Sequence, residues 1–280
     1  MTVEQRPGAA AATADGSRVA RAVRAANDAG RAALVVYLPA GYPDLDTSRT
    51  CLEAAAEAGA DLLEVGFPYS DPLMDGPVIQ AACQAALDWG YTPADDLAMC
   101  AALTAAVEAP ALVMTYYNLA WRYGGPGRLD AFAADAAAAG LVGAILPDLP
   151  ADEGGPWTAA AAAHGLATVF LAAPTSTAER LAAVAGASTG FVYATSTLGV
   201  TGERSSLAAT AAPLVERLRA CTDRPVCVGI GVSAPEQAAE VAGFADGVIV
   251  GSAAVRAAGE GGPDAVRRLV AALAEGCRLR

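Results

Sequence analysis

The 280-residue chain contains no lysine; all 18 of its basic residues are arginine. That excludes a lysine Schiff base to a carbonyl substrate, and with it the lysine anchor of a pyridoxal cofactor. Histidine is nearly missing too. A single one, His164, excludes zinc or iron sites built from two or three imidazoles. It stands in Ala-Ala-His-Gly, which reads as a helix end where the C-terminal dipole suits it, and not as a catalytic position. Positive charge is scarce overall: 18 basic against 30 acidic residues give a net charge of −12, so neither nucleic acid nor an anionic membrane surface is an expected partner. No apolar run is long and uncharged enough to span a bilayer, and the first residues lack the basic start and apolar run of a signal peptide. The six cysteines (Cys51, Cys83, Cys100, Cys221, Cys227 and Cys277) include no Cys-x-x-Cys pair. In a chain with so large a core they read as reduced thiols of a cytoplasmic protein, not as a disulfide framework.

What is present is apolar and regularly punctuated. Hydrophobic residues make up 54% of the chain, enough for a large core, and abundant alanine favours helix. Short β-type runs at 33–38, 62–66, 111–115, 143–146, 167–171, 190–194, 226–228 and 247–250 alternate with helical stretches at 47–58, 76–87, 93–107, 128–138, 157–163, 177–184, 206–220, 235–241 and 263–275. The strand runs are apolar throughout, as parallel strands buried on both faces must be. Eight such strands with helical crossovers predict an α/β fold, a single-domain (β/α)8 TIM barrel over residues 17–280. An open doubly wound sheet is the alternative. Residues 1–16, rich in alanine and polar side chains, read as a disordered tail. Pro235 and Pro263 fit first-turn helix positions, with Ser233 or Ser176 available as caps.

Two features carry chemistry. Glu64 is the one acid in an otherwise apolar strand, where a carboxylate is costly to bury. Eleven residues on, Asp75 lies in a loop punctuated by proline and glycine. In a barrel both fall at the C-terminal ends of the strands, where function collects. Paired carboxylates in unlike surroundings are a common way to run acid and base chemistry at one pH. A structural acid and a turn residue are the plainer reading of the pair. Secondly, glycine-bearing segments follow the last three strands: Gly199-Val-Thr-Gly202, Gly229-Ile-Gly-Val-Ser233 and Gly251-Ser252. Their backbone N–H groups and the helix starts behind them suit a substrate phosphate, with Ser252 adding a hydroxyl. Residues 199–204 also form a candidate lid, from which Thr201 can reach a carboxylate on closure.

The chain resembles the tryptophan synthase alpha chain family over roughly residues 18–275. The resemblance rests on Tyr37-Leu-Pro-Ala-Gly-Tyr-Pro-Asp44, Leu63-Glu-Val-Gly-Phe-Pro-Tyr-Ser-Asp-Pro-Leu-Met-Asp-Gly-Pro77, Met114-Thr-Tyr-Tyr-Asn118, Pro147-Asp-Leu-Pro150 and the three glycine segments. It implies a retro-aldol cleavage of indole-3-glycerol phosphate with neither metal nor cofactor. It implies Glu64 as general acid/base and Asp75 as the carboxylate on the indole N–H. It places the phosphate at Gly202, Gly231, Gly251 and Ser252, Tyr193 near the substrate hydroxyl, Thr201 on the lid, and Tyr37, Ile145 and Ile230 along the indole slot. It also implies a pyridoxal-dependent beta chain as partner in an α2β2 assembly. A stand-alone lyase releasing free indole, or a non-catalytic activator of a beta chain, are the competing expectations. Pro39 and Val78 depart from the threonines many members carry, and Thr197 and Leu198 differ from some members ahead of the lid.

Overall fold

The computed structural model describes residues 17–195, 207–229 and 231–278. The expected tail, the candidate lid with Thr201 and Gly202, and Ile230 lie outside these described residues.

The described residues form one parallel sheet wrapped by helices. Its strands are β1 (Ala33–Pro39), β2 (Leu62–Gly66), β3 (Ala111–Met114), β4 (Gly143–Ile145), β5 (Ala167–Val169), β6 (Leu171–Ala172), β7 (Val192–Thr195), β8 (Val226–Gly229) and β9 (Gly247–Val250). Nine strands appear where eight were expected, and the extra one is a break. The lateral order runs β5-β4-β3-β2-β1-β9-β8-β7-β6, so its two ends are consecutive pieces of one stretch interrupted at Phe170. There the backbone N–H bonds to Ser188 Oγ (3.1 Å) while the carbonyl accepts from Tyr193 (3.1 Å). The fifth stave thus pairs with β4 through its first half and with β7 through its second, which all but closes the barrel.

The helices are α1 (Arg18–Asp28), α2 (Leu45–Glu57), α3 (Pro77–Asp88), α4 (Pro93–Ala106), α5 (Tyr117–Arg122), α6 (Leu129–Ala138), α7 (Gly155–Ala163), α8 (Ala178–Ala187), α9 (Leu207–Arg219), α10 (Pro235–Ala242) and α11 (Ser252–Cys277). Prolines open α3, α4 and α10, where the missing N–H has no intrahelical partner to lose. Pro263 lies inside α11, just after a break at Gly261 and Gly262 whose φ/ψ are not helical, so it starts a second helical piece. The capping serines differ from expectation. Thr177 caps α8 through Arg180 N–H, and Ala234 occupies the N-cap position of α10. Gln237 Oε1 compensates there, accepting from the backbone N–H groups of Ser233 (2.8 Å) and Ala234 (3.2 Å). His164 follows α7 as its C-cap residue, as expected, with Nε2 2.8 Å from Asp130 Oδ1.

The sequence pattern did not single out α1. It sits outside the strand–helix alternation and closes the floor of the barrel. Ser17 Oγ accepts from Ala20 N–H (3.1 Å) and donates to the Thr189 carbonyl (2.8 Å), fixing the helix start to the turn ahead of β7. Val19, Val23 and Ala26 then bury against inward residues of the strands, among them Val35, Leu62 and Ile249. With one end plugged, the opposite, C-terminal mouth is left to hold a ligand.

Candidate active site

Side chains along a strand alternate in and out. Seven of the eight staves send a side chain into one cavity: Tyr37 on β1, Glu64 on β2, Met114 on β3, Ile145 on β4, Leu171 on β6, Tyr193 on β7 and Ile249 on β9. The loop after β2 and the start of α3 add Asp75 and Ile79; Gly231, Gly251 and Ser252 close the far side. The cavity has a volume of about 120 Å³. Of the residues expected at the site, the structure brings together Glu64, Asp75, Tyr37, Ile145, Tyr193, Gly231, Gly251 and Ser252. Thr201, Gly202 and Ile230 fall outside the described residues.

Glu64 is 3% exposed, and its Oε2 has no hydrogen-bond partner among the described residues. Register pairs it with Tyr37 on one side and Leu112 on the other, so no neighbouring strand supplies a cation. Burial first, and the nearby Asp75 charge second, push its carboxyl up to about 8. Its surroundings therefore favour the neutral, protonated form. Asp75 differs. Burial raises its pKa as well, but a hydrogen bond from the Tyr116 hydroxyl (3.2 Å to Oδ2) favours the carboxylate. The same hydroxyl accepts from Met74 N–H (2.8 Å), and the Tyr116 ring stacks on Tyr69 with centroids 5.0 Å apart. Asn118 Nδ2 donates to the Tyr69 hydroxyl in turn (3.0 Å). Two carboxyls at one cavity are thus held in different protonation tendencies by different surroundings.

Two glycines make room for the two tyrosines of the cavity. A Cβ on Gly66 would lie 2.3 Å from the Tyr37 hydroxyl, and one on Gly229 would lie 2.2 Å from the Tyr193 hydroxyl. Burial raises both phenols well above their ordinary pKa, so they act as neutral hydrogen-bonding groups. At the far side Gly251 is the N-cap residue of α11 and Ser252 its first residue. The first N–H groups of a helix lack intrahelical partners and carry the positive end of its dipole, a ready seat for an anion. Gln237 already takes the N–H groups of Ser233 and Ala234.

Sequence reasoning missed the holding network of Tyr69, Tyr116 and Asn118, together with the apolar lining of Met114, Leu171 and Ile249. The lining was readable in principle, since each residue follows another inward side chain by two. The network was not, because its stack and hydrogen bonds join a loop to a strand end and helix some 40 positions on. Among the described residues no cluster of three or more His, Cys, Asp or Glu is arranged to hold a metal ion.

Fold and site together are those of a barrel enzyme, with two carboxyls at one side of its mouth and a helix N-terminus at the other. The tryptophan synthase alpha chain family model matches residues 23–278. The chain is 51% identical to the tryptophan synthase alpha chain of Mycobacterium avium over 280 residues, covering 100% of this chain and 98% of that one. It is 51% identical to that of Streptomyces coelicolor over 259 residues, covering 91% and 94%. A crystal structure of tryptophan synthase from M. tuberculosis superposes with a TM-score of 0.86 at 48% identity, covering 95% of this chain and 100% of that chain. The alpha subunit of the Legionella pneumophila enzyme gives 0.83 at 32% identity, covering 93% and 98%. The chain belongs to the tryptophan synthase alpha chain family.

Proposed function

We infer that this chain runs its family's lyase reaction with the two carboxyls of the cavity. It cleaves indole-3-glycerol phosphate to indole and glyceraldehyde 3-phosphate, a step of tryptophan biosynthesis. The observation that carries the assignment of roles is the contrast at the mouth: a buried Glu64 whose Oε2 finds no partner among the described residues, and an Asp75 that accepts from the Tyr116 hydroxyl. The bond to be broken joins the indole ring carbon C3 to the side chain. Glu64 gives its proton to C3, and positive charge develops on the ring nitrogen. Asp75, as a carboxylate, accepts the ring N–H and stabilises that charge. Glu64, now a carboxylate, takes the proton of the side-chain hydroxyl. The C–O double bond of the aldehyde forms, and the electron pair of the breaking C–C bond returns to the ring as neutral indole. Glu64 ends protonated, as it began. Tyr193 lies near the hydroxyl that reacts, and Tyr37 and Ile145 face the ring. Ile230 joins that slot, and Gly202, Gly231, Gly251 and Ser252 hold the phosphate, which anchors the substrate without reacting. Thr201 meets Asp75 when the lid closes.

Partnership with a pyridoxal-dependent beta chain in an α2β2 assembly belongs to the same proposal. Leu73 is 85% exposed and Met74 41%, both in the loop that presents Asp75. Exposed apolar side chains next to a site are what a partner surface offers. All six cysteines are unpaired and five of them buried, which supports a cytoplasmic setting. No described helix is long and apolar enough to cross a membrane. The test is indole release from indole-3-glycerol phosphate, titrated with a beta chain. Strong activation is the expected result. A high rate unchanged by the partner would instead favour a stand-alone lyase, and no release even beside the partner would leave only an activator.

Two further outcomes follow from the geometry. Tyr116→Phe removes the hydrogen bond that lowers the Asp75 pKa. The acid limb of the pH–rate profile should move to higher pH, with kcat reduced about tenfold and KM little changed; an unmoved limb would deny Tyr116 this role. Gly229→Ala drives a methyl group against the Tyr193 hydroxyl. Displacing that ring should lower kcat/KM by about 10²-fold while the circular dichroism spectrum stays that of the wild type.

A further inference from the structure

A second cleft, distinct from the catalytic cavity, lies among the loop after β2, α4 and α5 and offers about 580 Å³. That is within the usual range of small-molecule sites. Its walls include the tyrosines Tyr69, Tyr91 and Tyr123, with Leu87 and Leu119 between them. Among these apolar walls stands one acid, Asp96, in the first turn of α4. It is 3% exposed, and its Oδ1 has no hydrogen-bond partner among the described residues.

Nothing in the local structure accounts for that carboxyl. The capping of α4 is already complete without it, since Thr92 and Asp95 form the reciprocal box. The helix dipole favours an acid in a first turn, but by less than the cost of burying an acceptor without a donor. The nearest charge with an effect on it, Asp95, repels it; burial and that repulsion push the Asp96 carboxyl up to about 7. Arg122, also on the cleft, is exposed and makes no ion pair among the described residues. The site therefore has aromatic walls and an acceptor that lacks a donor.

We propose that this cleft binds small molecules carrying a protonated amine on an apolar, aromatic-sized body, with the amine donating to Asp96 and the body lying against the tyrosines. The ammonium supplies the donor and the opposite charge at once, and tyrosine faces suit a cation and a flat apolar group alike. The cleft shares Tyr69 with the network that holds Asp75, so its occupant touches a residue of the catalytic loop.

The test uses the full chain with 2-phenylethylamine as probe and 2-phenylethanol as its uncharged counterpart, at about pH 8, where free carboxyls are ionised. Binding is followed by calorimetry and by NMR of labelled tyrosine rings. The amine should bind saturably and shift Tyr69, Tyr91 and Tyr123. Asp96→Asn, an isosteric change, should weaken the amine about tenfold or more, as expected for loss of a charged hydrogen bond, and leave the alcohol within about twofold. Indole release without amine should stay at the wild-type rate in this variant. Absence of saturable binding to the wild-type chain would overturn the proposal. So would equal binding to Asp96→Asn, or shifts confined to Tyr37 and Tyr193, which line the catalytic cavity.

Discussion

Glu64→Gln should abolish indole release, with kcat lowered by about 10³-fold or more, because one side chain serves as acid at C3 and then as base at the hydroxyl. Glutamine keeps the shape of the buried side chain and can do neither. Folding should survive the change. A buried acid with a raised pKa contributes stability that is fully present below its unfolded pKa and is lost as pH rises through the folded value of about 8. Glutamine has no such loss. The variant should therefore be as stable as the wild type near pH ~4 and more stable, by ~4 kcal/mol, near pH ~8. Thermal melts across that window check the second half of the expectation, and the indole assay checks the first. Activity retained within a few-fold of wild type would remove Glu64 from the chemistry.

Asp75→Asn should cost about 10²-fold or more in kcat, since an amide cannot neutralise the charge that grows on the ring nitrogen. A second effect makes the loss diagnostic. Asp75 is one of the two causes that raise the Glu64 pKa, so its removal should also draw the alkaline limb of the residual activity to lower pH. A merely structural turn residue would show neither the drop nor the shift. The two variants are expected to be far from additive, because both acids act on one transition state.

The carboxylate pair was legible in the sequence because an acid in an otherwise apolar strand is rare and expensive, and because strand counting put Glu64 and Asp75 on the same face. The fold was legible for a related reason: strands buried on both faces read as unbroken apolar runs, and eight of them recur with helices between. Three things were not legible. The break at Phe170 depends on Ser188, a hydrogen-bond partner 18 residues away. The floor helix α1 stands outside the alternation, and its purpose shows only once Val19 and Val23 meet the barrel interior. The support of Asp75 by Tyr116 and Tyr69 is a loop-to-strand contact with no local pattern. Asp96 was hidden for the opposite reason. Beside Asp95 at a helix start it looks like an ordinary capping acid, and only its burial distinguishes it.

The central claim is that Glu64 enters the reaction as a protonated acid. The pH dependence of kcat/KM for indole release from indole-3-glycerol phosphate tests it directly, since this parameter reports the essential groups of the free enzyme. The expected profile falls on an alkaline limb with its midpoint near about 8, the value to which burial lifts the Glu64 carboxyl. A rate that stays level from about pH 6 to about pH 9.5, well past that midpoint, would contradict the account.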